Sequence, residues 1–309
     1  MKKFKKALVY EFEGSDDLTK IAQEYSEEVV TITATDDYQN VLTADNLTGV
    51  DFFLVGVFDI FKNEYYDLET LKYIAIDWTG MSMIDLDFLA DNNIQIDNIN
   101  GQASAGVSEL MLNMLLNLIR HTPEALAYAK AGGESFAGFK GREIGSKTIG
   151  IYGLGSIGSR FAEICNFFGA SVRYTTQSEK NVPYQKVELT NLSNGADVFV
   201  VSTAVTPETR DTIGVEILKD LNKEGVILCP GTFEVFKINE LYDFLLKRTD
   251  VKFWSDVNQS PEWKECKEKF LALPNFYVTP HCGFFTNENR ARALELTEMN
   301  IKNFSKGKC

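Results

Sequence analysis

Chemistry in this chain is most legible in three glycines, Gly153, Gly155 and Gly158, within KTIGIYGLGSIGSRFAEICNFFGASVRYT at residues 147–175. The first permits a tight turn, the second lets backbone approach a pyrophosphate, and the third allows a helix to pack closely on a strand. The helix N-terminus then faces the anion. A lone GxGxxG is weak, but this one follows an apolar strand and opens a helix that leads to a second strand, the context the fingerprint needs. Gly153, Leu154, Gly155, Ser156, Ile157 and Gly158 therefore read as the phosphate-binding loop of a dinucleotide site. About 20 positions on, NAD-specific sites carry an acid for the ribose hydroxyls. Here the strand ends in Thr175, Thr176 and Gln177. Losing the carboxylate removes repulsion against a 2′-phosphate, which Ser178 and Lys180 could contact, whereas Glu179 could reach the ribose. The cofactor is read as NAD(H) or NADP(H).

Five cysteines, Cys165, Cys229, Cys266, Cys282 and Cys309, are odd in number and lack CxxC or CxxH spacing. That argues against a disulfide framework or a metal site and for reduced thiols in a cytoplasm. A reactive thiol at Cys229 or Cys282 is a weaker alternative, because buried cysteines are mostly inert.

These residues need a scaffold. KALVYEF, VVTIT, DFFLVGV and LKYIAI read as short apolar strands separated by helix-like stretches such as SDDLTKIAQEYSE, and LDFLADNN with IQIDNIN continues the series to about residue 100. A largely apolar helix beginning near residue 101 could link two domains, and a second alternating series runs to FYVTPHCG. Alternation of this kind implies parallel sheets. The closing TNENRARALELTEMNIKNFSKG is an amphipathic helix that could pack on either domain. A length of 309 residues exceeds what one core usually supports. The net charge of -13 repels phosphate backbones and anionic lipid, so a small-molecule ligand is expected, with no nucleic-acid and no membrane partner. The apolar helix around Leu110 to Ile119 is too short to span a bilayer.

The order of motifs resembles the D-isomer-specific 2-hydroxyacid dehydrogenases. LKYIAIDWTGMSMIDLDFLADNNIQIDNINGQASAGVSEL is similar to the family's strand, glycine loop, ID dipeptide and lead into the interdomain helix, with Gly80, Ile84, Asp85, Asn98, Gly101, Val107 and Glu109 as the matching residues. TPETRDTIG at residues 206–214 matches the loop after a cofactor-lining strand, and LPNFYVTPHCGFFTNE places His281 where the catalytic acid/base sits. The resemblance implies an α/β fold of two Rossmann-like domains: a flavodoxin-like substrate domain over residues 1–100 with 284–309, and an inserted doubly wound NAD(P)-binding domain over 101–283. It implies Val107, Thr176, Thr203 and Asp256 as further cofactor residues, a pocket around Trp78, Thr79, Gly80, Thr232 and Phe233, no metal, and a homodimer. Imidazole suits proton delivery to a carbonyl oxygen because its ordinary pKa is about 6.5. His121, beside Pro123, is read as a helix-end residue.

Two family positions depart from the pattern. Where the family holds substrate with an arginine, ILCPGTFEVFKINE puts Phe233 or Thr232, and neither carries charge. Where it pairs the histidine with a glutamate, FWSDVNQSPEW has Ser260 or its neighbours, with Glu262 shifted. Lys237 is a candidate replacement for the arginine, read more simply as a solvated loop charge. The expectation is an NAD(P)-dependent oxidoreductase with altered substrate recognition. The alternative is a catalytically impaired redox sensor or protein-interaction module that binds NAD(P) without turnover.

Overall fold

A computed structural model describes residues 3–12, 14–34, 48–56, 70–81, 84–231, 233–257 and 260–307. The chain forms two compact units, Met1–Gln102 with Asn287–Cys309, and Ala103–Thr286.

In the first unit, β1 (Phe4–Phe12), β2 (Ser26–Ala34), β3 (Phe52–Val55), β4 (Tyr73–Ile76) and β5 (Gln95–Asp97) make a parallel sheet in the order β2-β1-β3-β4-β5, the flavodoxin-like arrangement. Strand alternation sorts the side chains into two cores. Ala7, Val9, Phe52, Leu54, Tyr73 and Ala75 face one side, and Leu8, Tyr10, Phe53, Val55, Ile74 and Ile76 the other. Helix α1 (Asp17–Tyr25) carries the spacing expected of its sequence and buries Leu18 and Ala22 in the first core. No side chain at its N-cap residue Asp16 caps it. Instead Glu11, at the end of β1, accepts hydrogen bonds from Leu18 N (3.1 Å) and Thr19 Oγ1 (2.6 Å). The terminal helix Asn287–Ser305 settles on this sheet: Ile301 is fully buried, and the Phe304 ring stacks on Tyr73 at 4.0 Å.

In the second unit, seven parallel strands run in the order β12-β11-β10-β9-β6-β7-β8. They are β6 (Thr148–Tyr152), β7 (Ser171–Thr175), β8 (Gln185–Lys186), β9 (Val198–Val201), β10 (Val226–Cys229), β11 (Lys252–Asp256) and β12 (Phe276–Thr279). The order reverses between β6 and β9, the switch point at which doubly wound sheets open a crevice outside the carboxyl ends of their strands. Ile149, Ile151, Val198, Val200, Val226 and Leu228 point into one core, and Phe199, Val201, Ile227, Cys229 and Phe253 into the other. Both units are thus the parallel α/β folds anticipated. The apolar helix is Ser104–Ile119; it lies within the second unit and packs on the helix Ser156–Phe167 that follows the glycine loop. The single helix expected from residue 101 through HTPEAL is broken at His121, which is left-handed, and resumes as Thr122–Lys130; the helix Pro261–Leu271 and the two-residue strand β8 carry no expectation from the sequence. Among the described residues no helix is long and apolar enough to cross a membrane, and no group of three His, Cys, Asp or Glu side chains could hold a metal ion.

Candidate functional site

The glycine loop joins β6 to the helix Ser156–Phe167, and each glycine has its own steric reason. Gly153 has φ 93°, and a Cβ there would strike the backbone of Thr203. A Cβ on Gly158 would strike the carbonyl oxygen of Gly153 and meet Ser202 Oγ at 2.7 Å. Gly155, the N-cap of the helix, has nothing within 4 Å of its Cβ position and no side-chain cap. The loop therefore closes tightly on itself at two glycines and leaves open space at the third, beside uncapped backbone N–H groups. Those features fit a pyrophosphate. Ser202 Oγ donates to Gly153 O at 2.7 Å, tying the loop to the end of β9.

Beside the loop, at the carboxyl ends of β6, β7 and β9, lies a cleft of about 260 Å³ lined by Tyr152, Thr176, Gln177, Ser178, Thr203, Ala204, Thr206, Glu208 and Thr209. Thr176 and Thr203, both expected at a cofactor, are brought together here. Tyr152, Thr206, Glu208 and Thr209 were missed, although the TPET run carrying three of them was recognised as a motif. Thr209 Oγ1 donates to Ala204 O at 2.7 Å and accepts from Thr206 N at 2.8 Å, which fixes this turn. Glu179 pairs with Lys186 at 2.5 Å on the surface, so it behaves as a solvated loop charge.

His281 sits on the turn after β12. Asp256 and Thr279 are register partners on adjacent strands, and Asp256 is 1% exposed. Its Oδ1 accepts from Thr279 Oγ1 (2.5 Å) and Cys282 N (3.0 Å), and its Oδ2 from Gly283 N (2.7 Å). Trp254 Nε1 donates to Thr279 Oγ1 at 3.2 Å, so the single threonine proton is directed at the carboxylate. Asp256 thus anchors the backbone of the histidine turn, a role the sequence did not reveal. His281 adopts the left-handed conformation at φ 52°, and its ring meets Phe284 edge-on at 5.3 Å. Burial pushes its imidazole pKa below the ordinary value, with the Asp256 charge opposing that shift. A Cβ on Gly283 would come 3.4 Å from Val107 Cγ2, which places Val107 against this same turn.

The other positions considered for the chemistry have other duties. Ser260 accepts from Trp263 N at 3.3 Å and caps the helix Pro261–Leu271. Glu262 pairs with Arg210 at 2.7 Å, so the shifted glutamate is engaged there. Lys237 is half-exposed and pairs with Glu240 at 3.6 Å, as a solvated charge would. His121 precedes the helix Thr122–Lys130, with Nδ1 3.3 Å from Lys252 Nζ. Cys229 is fully buried, and burial raises the Cys282 pKa, which disfavours a reactive thiolate at that position.

Two pocket expectations are corrected. Phe233 is 1% exposed and packs edge-on against Phe253, Trp263, Phe270 and Phe276, so its ring belongs to the core of the second unit. An apolar ring at that position gains more from aromatic packing than from lining a polar pocket. Trp78 is likewise packed in a core of the first unit, and its Nε1 donates to Gly80 O at 2.7 Å. Thr79 and Gly80 are exposed, with the Thr79 hydroxyl hydrogen-bonded to Gln102. Asp77, just before them, accepts from Arg290 at 2.6 Å, and burial raises its pKa against the pull of that guanidinium. Thr232 lies outside the described residues.

Comparison with known proteins adds an independent line. The family model for the D-isomer specific 2-hydroxyacid dehydrogenase NAD binding domain matches residues 112–283. A hydroxypyruvate reductase of Thermotoga maritima is 30% identical over 240 residues, covering 76% of this chain and 78% of its own. A glyoxylate/hydroxypyruvate reductase of Arabidopsis thaliana is 26% identical, covering 77% and 74%. Among solved structures, a Thermus thermophilus protein superposes with TM-score 0.85 at 25% identity over 98% of this chain and 97% of its own. The D-lactate dehydrogenase of Aquifex aeolicus, complexed with NAD and lactic acid, shares the fold with TM-score 0.81 at 22% identity over 97% and 96%.

Proposed function

This chain belongs to the D-isomer-specific 2-hydroxyacid dehydrogenase family, and from that premise we propose that it is an NAD(P)-dependent oxidoreductase acting on a small carbonyl or hydroxy compound. The observation that carries the reading is the pairing, within one unit, of a complete glycine loop with a histidine turn anchored on a buried aspartate. Bound NAD(P)H supplies the hydride. Gly153 to Gly158 bind the pyrophosphate, and Thr176 and Thr203 line the adenosine side. Val107 packs on the histidine turn, and together with the backbone around Asp256 it would border the nicotinamide. His281 holds the proton on an imidazole nitrogen and delivers it to the carbonyl oxygen, or removes it from the hydroxyl in the reverse direction.

The first unit is the substrate domain of this reading, with 1–100 and 284–309 as its anticipated extent and 101–283 as the nucleotide domain. Exposed Thr79 and the open backbone at Gly80 are the substrate-facing positions of that unit in this reading. Both sequence relatives named above are reductases, which favours turnover over a sensor that binds without reacting. With no arginine at the family's carboxylate-binding position, the preferred substrate carries an uncharged or differently charged group beside its carbonyl. Homodimerisation is proposed through the second unit, where Leu126, Tyr128 and Phe136 are exposed, Phe136 at 92%. A cytoplasmic setting fits free cysteines.

Titration of the purified protein with NADH and NADPH by fluorescence, followed by a panel of 2-keto acids, aldehydes and ketones, tests the proposal. Oxidation of the bound cofactor by one class is expected. Tight binding with no oxidation by any carbonyl would point to the sensor, and absence of binding would remove the proposal altogether.

A further inference from the structure

The loop after β4 carries Thr79 and Gly80, and the carbonyls of Trp78, Thr79 and Gly80 are all held. Trp78 O accepts from Ile99 N at 3.3 Å, Thr79 O from Asn98 Nδ2 at 2.7 Å, and Gly80 O from Trp78 Nε1 at 2.7 Å. Holding three successive carbonyls fixes three peptide planes, because each peptide unit is rigid. The terminal helix Asn287–Ser305 supports this arrangement. Asn300 Nδ2 donates to Asn98 O at 2.8 Å and Arg292 Nε to Gln102 O at 3.0 Å, at the two ends of the turn whose Asn98 and Gln102 side chains hold Thr79. Arg290, on the same helix, engages the strand side of the loop. Its Nη1 donates to Asp77 Oδ2 at 2.6 Å, its Nε to Asp17 Oδ2 at 3.2 Å, and its Nη2 approaches Ser15 Oγ at 3.5 Å.

Asp77 stands between the end of β4 and Trp78, and its side chain is only 8% exposed. A carboxylate that deep stays charged only beside a cation, so Asp77 and Arg290 hold each other. The same guanidinium reaches the loop after β1, on the other side of β3 in the sheet. A planar fork with several donors can serve Asp77, Asp17 and Ser15 together, whereas one ammonium cannot match that geometry. Trp78, the next residue, is packed in a core and lends its indole N–H to Gly80 O. Movement at Asp77 therefore passes directly to Trp78 and from there to Gly80. We infer that Arg290 is a positioning residue: through the buried Asp77 carboxylate, the terminal helix sets the conformation of the Thr79–Gly80 loop and with it the affinity for the carbonyl substrate. The inference rests on the oxidoreductase reading above, which makes Thr79 and Gly80 substrate-facing.

The test compares the full wild-type chain with Arg290→Met, Arg290→Lys and the double variant Asp77→Asn/Arg290→Met. Each is titrated with NADH by fluorescence, assayed with the carbonyl compound of the panel above that wild type reduces fastest, and followed by amide hydrogen exchange without substrate. Arg290→Met should raise KM for that compound at least about tenfold, with kcat changed by less than about threefold and NADH binding unaltered. Amides of residues 78–80 should exchange at least about tenfold faster, with those of β6 unchanged. Arg290→Lys should fall between wild type and Arg290→Met. Removing the arginine alone leaves Asp77 as an unpaired buried charge, which destabilises the first unit. The double variant removes that charge as well, so it should melt closer to wild type and still show the raised KM and the fast loop exchange. A double variant with wild-type KM or wild-type loop exchange overturns the inference, as does a loss of kcat and NADH binding with KM unchanged; the oxidoreductase reading then stands. If wild type binds NADH but reduces no carbonyl compound, that reading falls and the inference with it.

Discussion

At the scale of single residues, His281 works under two opposing influences, burial that favours neutral imidazole and the Asp256 charge that favours imidazolium. Burial prevails, so the protonated form needed for carbonyl reduction is scarce at neutral pH. The rate of cofactor oxidation in single turnover should climb as pH falls below about 6.5 and level only beneath the lowered pKa. Asp256→Asn removes the charge that supports imidazolium, so the rising limb should move to still lower pH. The variant also weakens charge-assisted hydrogen bonds to the turn, at a cost of about 1.5–3 kcal/mol in stability. A profile that is flat from about pH 5 to 8, or unmoved in Asp256→Asn, would remove His281 from this role. The dual duty of Asp256 is visible only in the fold, because its partners Thr279, Cys282 and Gly283 lie more than 20 positions away in sequence.

At the scale of elements, the strand, loop and helix from Thr148 to Phe167 separate two jobs that one motif merges. Gly158 is needed by the protein itself, since a methyl there collides with Gly153 O and approaches Ser202 Oγ. At Gly155 the Cβ position is open, so the protein's own packing does not require a glycine there. Gly158→Ala is therefore expected to lower stability by about 1–3 kcal/mol as well as to impair nucleotide binding. Gly155→Ala should leave the melting temperature close to wild type while weakening NADH binding by at least about tenfold. Thermal melts and NADH titrations of the two variants check this, and identical behaviour of both would contradict the steric account. The same contrast separates the two aromatic pocket candidates from Gly80. Phe233 and Trp78 serve cores, whereas Gly80 has nothing within 4 Å of its Cβ position.

At the scale of the whole molecule, each unit has its own pair of hydrophobic cores. A chain built this way is expected to depart from two-state unfolding. NADH at 100 times its dissociation constant stabilises whatever binds it by about 2.7 kcal/mol. That gain should appear in the unit Ala103–Thr286, seen as hydrogen-exchange protection of its amides in β6, β7 and β9. Protection confined instead to Met1–Gln102 would place the nucleotide in the wrong unit. The net charge of -13 bears on the whole surface and makes salt a useful variable in every binding measurement on this protein.

The sequence by itself determined the two parallel α/β layers, the glycine loop and the candidate histidine. Those features are local: apolar runs of strand length, helical spacing and glycine positions are written in consecutive residues. It also showed that no arginine stands at the expected place near Thr232 and Phe233. Only the tertiary structure decided which side chains are available. Phe233 and Trp78 looked like pocket residues until packing placed them in cores. Glu262, already shifted from the family's glutamate position, is engaged by Arg210, 52 positions away. Glu208 carried no signal of its own until β7 and β9 were set on either side of β6, bringing it to the cleft with Thr176. Burial, ion pairing and cleft charge are sums over residues distant in the chain, and such sums exist only once the chain has folded.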